Sequence, residues 1–153
     1  GLYDDDIEWL ESQLEKSNAS IKIVLMPHPA INVRDSNGKM WDVFVHNREA
    51  FIKLCEQSGV DVVLTGHTHD ERIFDGNETF YSINTSLNCS LYPTLFVQTD
   101  DCKESIHYRN VSIIGTNILL EHCVEVSIHV TDDDVPMSFH QLYRQRKFTF
   151  IDH

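Results

Sequence analysis

Hydrophobic and polar positions follow two different periods along the first 65 residues. Apolar residues recur at helical spacing in two segments, for example at Ile7, Leu10 and Leu14, and Gly59 provides a helix stop after the second segment. Between and after these segments come two short apolar runs, typical of strands buried on both faces of a parallel sheet. The pattern predicts helices over residues 4–16 and 48–58 and strands over residues 21–26 and 60–64. This alternation favours a parallel sheet covered by helices.

After residue 70 the pattern changes to the period of antiparallel strands. A hairpin is predicted around the turn Asp75-Gly76-Asn77, and a second turn at Gly115-Thr116-Asn117. Strands are predicted over residues 71–74, 79–83, 95–99, 105–114 and 119–130. We therefore expect an α/β fold in which helix-strand-helix-strand is followed by antiparallel strands. Residues 1–130 would form the domain, and residues 131–153 an extension or linker.

The charge balance restricts the classes of partner. The chain has 24 acidic and 12 basic residues, a formal net charge of −12. Nucleic-acid binders need Lys and Arg to neutralise phosphates, so a nucleic-acid partner is not expected. A small phosphorylated substrate remains compatible, because bound metal ions can reverse the local charge. No apolar run reaches the roughly 20 residues of a membrane helix, so no membrane span is expected.

The four cysteines do not form a C-x-x-C pair, which argues against a structural cysteine–zinc site. Cys55 falls on the apolar side of the second helix and is predicted to be a buried thiol. One disulfide among Cys89, Cys102 and Cys123 is compatible with the sequence, with Cys89–Cys102 as one candidate pairing.

Asn-x-Ser/Thr triplets are unusually frequent in this chain. They indicate an N-glycosylated protein that is extracytoplasmic or secreted, although short motifs can also cluster by chance in a chain rich in Ser and Thr. The predicted acceptors are Asn18, Asn77, Asn84, Asn88 and Asn110.

Three histidines follow the two apolar strands. His67 and His69 come directly after the second strand and Gly66, and His28 follows the first strand. In an extended segment, residues two apart point to the same side, so both later imidazoles can face one ion. Gly66 would allow a sharp turn there. The carboxyl ends of neighbouring parallel strands lie at one edge of a sheet, so all three histidines are predicted to share that edge.

The motif Gly66-His67-Thr68-His69 at the end of such a strand resembles the calcineurin-like metallophosphoesterases. The preceding helix and strand and the segment Ile83-Asn84-Thr85-Ser86 are also similar to that family. The resemblance extends over about residues 3–130 and implies half of a β-sandwich with flanking helices. It further implies two metal ions (zinc, manganese, iron or nickel) that activate water for hydrolysis of a phosphate ester. On this resemblance, His28 and His67 would bind one metal and His69 the other.

Two departures from the family pattern matter. The family has His, any residue, Pro where this chain has His28-Pro29-Ala30. The family's earlier motifs, Asp-x-His, Gly-Asp-x-x-Asp and Gly-Asn-His-Glu, are absent from this sequence. We therefore expect a C-terminal fragment that lacks the N-terminal half of the domain and is inactive alone. The alternatives are a catalytically inactive, glycosylated extracellular protein that retains the scaffold, and a domain that binds a single metal ion.

The remaining candidates are assigned no chemistry. Asp70 is expected either to orient an imidazole or to be an exposed loop carboxylate. Histidines without a partner at ligand spacing are interpreted as structural or exposed; these are His107, His122, His129, His140 and His153.

Overall fold

The computed structural model describes residues 1–81, 86–100 and 106–125. Two helices are present, α1 (Asp4–Lys16) and α2 (Arg48–Gln57), together with a short 3-10 helix, Cys89–Leu91. The strands are β1 (Ile23–Met26), β2 (Val62–Thr65), β3 (Arg72–Asp75), β4 (Phe80–Tyr81), β5 (Ser86–Asn88), β6 (Leu95–Gln98), β7 (Ile106–Ile114) and β8 (Asn117–Glu125). None of the helices in these ranges is long and apolar enough to cross a membrane.

Both helices begin and end close to the boundaries that the sequence predicts. The Asp6 carboxylate accepts a hydrogen bond from the Tyr3 backbone N–H at 2.8 Å, which stabilises the first turn of α1. Beyond α2, Gly59 adopts φ +64°, the left-handed conformation that ends many helices. The side chain of Asn47, which precedes α2, makes no capping bond but donates to the Asp4 carboxylate at 2.8 Å. The starts of the two helices are therefore tied together.

The main sheet has five strands in the order β1-β2-β6-β3-β4. Strands β1, β2 and β6 are parallel, and β3 and β4 are antiparallel to their neighbours, which confirms the predicted parallel arrangement and hairpin. The expectation that both apolar runs are buried on both faces is wrong for β1. This strand is at the edge of the sheet, and Leu25 is 76% exposed.

Alternate residues of the main sheet face two separate cores. Val63, Phe74 and Phe96 pack with residues of α1 and α2. The α2 residues in this core include the buried Phe51 and Cys55. Residues of the opposite parity pack against the second sheet, in a core made of Val62, Ile73, Cys89, Leu95, Val97, Ile118 and Leu120. The result is a helical layer and two sheets in three successive layers, consistent with the predicted α/β fold.

The second sheet has the order β5-β8-β7 and is antiparallel. Its long hairpin turns at Gly115, which adopts φ +63°, so the predicted turn is confirmed. His107 pairs with Val124 and Arg109 with His122 across this hairpin. His107, Arg109 and His122 therefore lie on the hairpin face that also carries Ile118 and Leu120.

Among the described cysteines, all three are free thiols. Cys55 is fully buried, as predicted, and burial raises its pKa to about 12. Cys89 is also buried, with its pKa raised to about 12 by the same cause, so the structure does not form the candidate Cys89–Cys102 disulfide. Cys102, Asn84 and residues 126–153, including His129, His140 and His153, lie outside the described residues.

Candidate metal centre

Two of the three predicted histidine ligands lie side by side. The rings of His28 and His67 have centroids 4.1 Å apart with an interplanar angle of 47°. Both side chains are exposed. Their closeness follows from the parallel pairing of β1 with β2, in which Met26 lies opposite Thr65, so that both chains leave the sheet at the same edge.

The loop after β2 is not extended. The Thr68 N–H donates to the Gly66 carbonyl at 3.0 Å, and His67 between them has φ +77°, which together define a tight γ-turn centred on His67. His69 is also left-handed, with φ +55°. The expected extended geometry is therefore wrong, whereas the expected sharp turn is present, with Gly66 as its first residue. The unusual backbone angles fall on the two histidines, and non-glycine residues are strained there.

Gln98 at the end of β6 fastens the two histidine loops to each other. The Thr68 hydroxyl donates to the Gln98 amide oxygen at 2.6 Å, and the Gln98 amide nitrogen donates to the Ile31 carbonyl at 2.6 Å. Gln98 is 1% exposed. Its buried amide thus holds the loop after β2 next to the loop after β1. Sequence reasoning missed this role, because a glutamine at a strand end carries no distinctive signal.

Arg72 at the start of β3 makes a second connection. Its guanidinium pairs with the Asp70 carboxylate at 2.7 Å and donates to the Asn32 amide oxygen at 2.5 Å. Asn32 is buried and donates to the Trp41 carbonyl at 3.0 Å. Asp70 therefore forms an ion pair with Arg72 beside the histidine loop, and its side chain is half exposed.

Glu71 turns away from the histidine pair toward the second sheet. Its carboxylate forms an ion pair with Arg109, whose side chain is 5% exposed, while that of Glu71 is 12% exposed. Burial lowers the pKa of Arg109, and the charge of Glu71 opposes this shift. The Arg109 Nε atom is buried without a hydrogen-bond partner among the described residues. This pair links the loop after β2 to β7.

A second group of side chains that carry potential ligand atoms lies around Glu71. Within the described ranges, the only three His, Cys, Asp or Glu residues whose ligand atoms all lie within 4.8 Å are Glu71, His107 and His122. The interpretation of His107 and His122 as isolated histidines missed this cluster. A signal was present, since the predicted turn at 115–117 places positions 107 and 122 near each other across the hairpin.

The predicted glycosylation acceptors lie in different environments. Asn18, Asn77 and Asn110 are exposed, on the turn after α1, the β3–β4 turn and β7. Asn88 is half-buried, and its side chain accepts a hydrogen bond from the Ser90 N–H at 3.1 Å.

Comparison with known proteins agrees with the motif. Residues 2–71 match the family model of the calcineurin-like phosphoesterases. The matched region runs from α1 through β1, α2 and β2 to the loop that carries His67 and His69. No curated protein gives a significant match to the chain. The resemblance predicted from Gly66-His67-Thr68-His69 is thus confirmed: over residues 2–71, this chain is similar to the calcineurin-like phosphoesterases.

Proposed function

We propose that the parent protein hydrolyses a phosphate ester with two bound metal ions, and that His28, His67 and His69 supply part of the ligand set. The observation that carries the proposal is the His28–His67 ring pair at the carboxyl edge of β1 and β2, inside the region that matches the phosphoesterase family. Ligand sites in open α/β sheets lie at this edge.

The residues present fit a transition metal. His28 and His67 offer adjacent, exposed imidazoles, and imidazole is a good ligand for zinc, manganese, iron and nickel. His28 and His67 would hold one ion, and His69 the other. When bound, such ions activate water and neutralise charge on phosphate oxygens. With a net charge of −12, the chain itself would repel a phosphorylated substrate, so metal ions are needed to attract it.

The chain's own residues position the ligands. The buried Gln98 amide holds both histidine-bearing loops, and the Arg72–Asp70 pair fixes the next turn of the second loop. Effective catalysis requires ligands and reactants to be held within fractions of an ångström, which buried hydrogen bonds of this kind provide.

The remaining ligands would come from a segment outside this sequence, in keeping with the expected N-terminal half of the domain. Strand β1 has an unpaired edge in the described sheet, and its Leu25 side chain is 76% exposed. Trp9 on the neighbouring α1 is 63% exposed. An added strand along β1 would satisfy the open edge and cover these apolar groups. We place the missing ligands on that added strand and its loops.

The test uses the parent protein with Mn²⁺ and a small aryl phosphate. His67→Ala and His69→Ala are expected to lower kcat/KM at least 100-fold, because each removes a metal ligand. His46→Ala, at an exposed histidine two residues before α2, is the matched control and should keep full activity. The 153-residue chain alone should show no activity above background. Full activity in the His67 and His69 variants would overturn the proposal.

A second candidate is a catalytically inactive, N-glycosylated extracytoplasmic protein that keeps the scaffold. The five acceptor triplets support it, together with the exposure of Asn18, Asn77 and Asn110. The two candidates differ in metal content. Protein purified from its native host that shifts in mass on deglycosylation, yet holds no metal by elemental analysis and has no phosphatase activity, would favour the second candidate.

A further inference from the structure

We propose that Arg109 is a positioning residue for His69, the residue assigned above to the second metal ion. Arg109 lies on β7 in the second sheet, whereas His69 lies on the loop that follows β2 of the main sheet. This role rests on the proposed function, because only that function makes His69 a metal ligand. The contacts through which Arg109 holds the loop belong to this chain alone.

The backbone of His69 needs support from its surroundings. It has φ +55°, a left-handed conformation that is strained for a residue with a Cβ. Such a conformation persists where the neighbouring contacts over-determine it. On one side of His69, the Thr68 hydroxyl donates to the Gln98 amide, and on the other side Glu71 pairs with Arg109. His69 is therefore held between two anchored residues.

The guanidinium of Arg109 is connected to both anchors. Its Nη2 atom donates to the Glu71 carboxylate and to the backbone carbonyl of Gln98, the latter at 3.4 Å. Gln98 is the residue whose side-chain oxygen accepts the hydrogen bond from Thr68. Because the Arg109 side chain is only 5% exposed, water screens these contacts little. Both ends of the segment 68–71 are thus fastened to one enclosed cation of the second sheet.

Glu71 is itself held from several directions, so it can transmit this restraint. Its carboxylate accepts a hydrogen bond from the Asp100 backbone N–H at 3.3 Å, and its Oε1 atom lies 3.3 Å from His122 Nε2. His122 is in turn hydrogen-bonded to His107 at 3.1 Å across the β7–β8 hairpin. Glu71 lies two positions after His69 in the chain. Contacts beyond the ligand itself orient metal ligands, and their loss typically lowers metal affinity about 10–100-fold.

The first measurement uses the 153-residue chain without metal. The wild type is compared with Arg109→Met, Arg109→Lys and the double variant Arg109→Met/Glu71→Gln. Leu120→Ala is the control, since it truncates a fully buried side chain of the same sheet. NMR order parameters and amide hydrogen exchange of residues 67–71 report the order of the loop. Urea denaturation of the same samples reports their stability.

Arg109→Met is expected to lower the order parameters of residues 68–71 from about 0.85 to below about 0.6, and Arg109→Lys should restore part of the loss. The double variant should regain stability, because the enclosed carboxylate charge is gone, but its loop should stay as mobile as in Arg109→Met. Leu120→Ala should lose stability while its loop stays ordered. Loop order that simply follows stability across these variants, or an ordered loop in Arg109→Met, would overturn the proposal. Should Arg109→Met fail to fold, the double variant gives the same comparison.

The second measurement uses the parent protein, stripped with EDTA and titrated with Mn²⁺ by calorimetry. Arg109→Met and the double variant should bind one of two ions about 10–100-fold more weakly than the wild type, whereas Leu120→Ala should bind both ions normally. Two ions bound with undiminished affinity in Arg109→Met would contradict the role of Arg109. A parent protein that binds no metal, although Arg109→Met loosens the loop of the 153-residue chain, would refute the proposed function and still support the placement of His69 by Arg109.

Discussion

The hydroxyl of Thr68 lies 2.6 Å from the amide oxygen of Gln98, a residue on a different strand and 1% exposed. The same amide donates to the carbonyl of Ile31, two residues beyond Pro29 in the other histidine loop. One buried side chain thus makes a hydrogen bond to each of the two loops of the candidate metal centre. The Ile31 carbonyl is buried and the Thr68 hydroxyl is part-buried, so the loss of Gln98 would remove the hydrogen bond that each of them makes to its amide.

Gln98→Leu is expected to lower the free energy of unfolding by about 1–3 kcal/mol, since it keeps the side-chain volume but leaves the Ile31 carbonyl and Thr68 hydroxyl unpaired. Urea denaturation followed by circular dichroism measures the change. The exposed Gln13→Leu on α1 is the matched control, with an expected effect within about 0.5 kcal/mol. Equal effects for the two variants would show that the buried amide does not stabilise the loops.

The Glu71–Arg109 pair should behave as a buried ion pair. Arg109→Met is expected to destabilise the chain by about 3 kcal/mol, because it removes the guanidinium that pairs with the enclosed Glu71 carboxylate. Glu71→Gln added to Arg109→Met should recover most of that loss. Unfolding in urea with EDTA present, for both single variants and the double, gives the coupling energy.

The exposed pair Arg34–Glu78 is the control for this cycle. Their side chains are 44% and 32% exposed, so Arg34→Met should change stability far less than Arg109→Met. Additive effects of the Glu71 and Arg109 substitutions would contradict the inferred coupling.

The sequence predicts the elements and the topology of the first part of the chain because periodicity and turn residues act locally. The apolar stripe at Ile7, Leu10 and Leu14 gives α1, and Gly59 gives the end of α2. The exposure of Leu25 was not predictable, since an apolar run has the same pattern in a central strand and in an edge strand.

The candidate site was predictable only in part. His28 and His67 are found together because strand ends of a parallel sheet share an edge. The buried role of Gln98 depends on how distant strands pack, which no local motif encodes. The His107–His122 contact, in contrast, follows from the hairpin that the predicted turn at 115–117 forms. Disulfide pairing likewise depends on how distant segments pack, and the structure shows Cys89 as a buried free thiol.

Asp75 should make stability depend on acid pH. Burial alone would raise the pKa of its carboxyl, but hydrogen bonds from the Thr79 N–H, the Tyr81 hydroxyl and the Asn77 N–H outweigh this and lower the pKa. The folded pKa therefore lies below the unfolded value of about 3.9. The stabilisation is complete above the unfolded pKa and is lost as the pH falls through the folded pKa.

Asp75→Asn should remove this dependence. Between pH 5 and pH 2 (about the range in which carboxyl groups titrate), the urea midpoint of the wild type should fall more steeply than that of the variant. Asp42→Asn, which alters an exposed carboxyl whose residue has φ +56°, should leave the slope of the wild type intact. Parallel curves for the wild type and Asp75→Asn would contradict the assignment.

The γ-turn at His67 should reveal a conflict between stability and ligand placement. At φ +77° an L-residue is strained by about 1–2 kcal/mol, whereas glycine is not. His67→Gly is therefore expected to be about 1 kcal/mol more stable than His67→Ala in urea. Both variants lose the proposed metal ligand, and on that proposal both should equally lose phosphatase activity in the parent protein. Gly66→Ala is the backbone control: Gly66 is not left-handed, and no atom lies within 4 Å of an added Cβ, so this change should be nearly neutral. Gly59→Ala, at φ +64°, should destabilise by about 1 kcal/mol.

If His67→Ala were as stable as His67→Gly, the backbone at His67 would not be strained. If the expected difference is found, a histidine at this position cannot be explained by its contribution to folding, and its use as a ligand becomes the simplest reason for its presence.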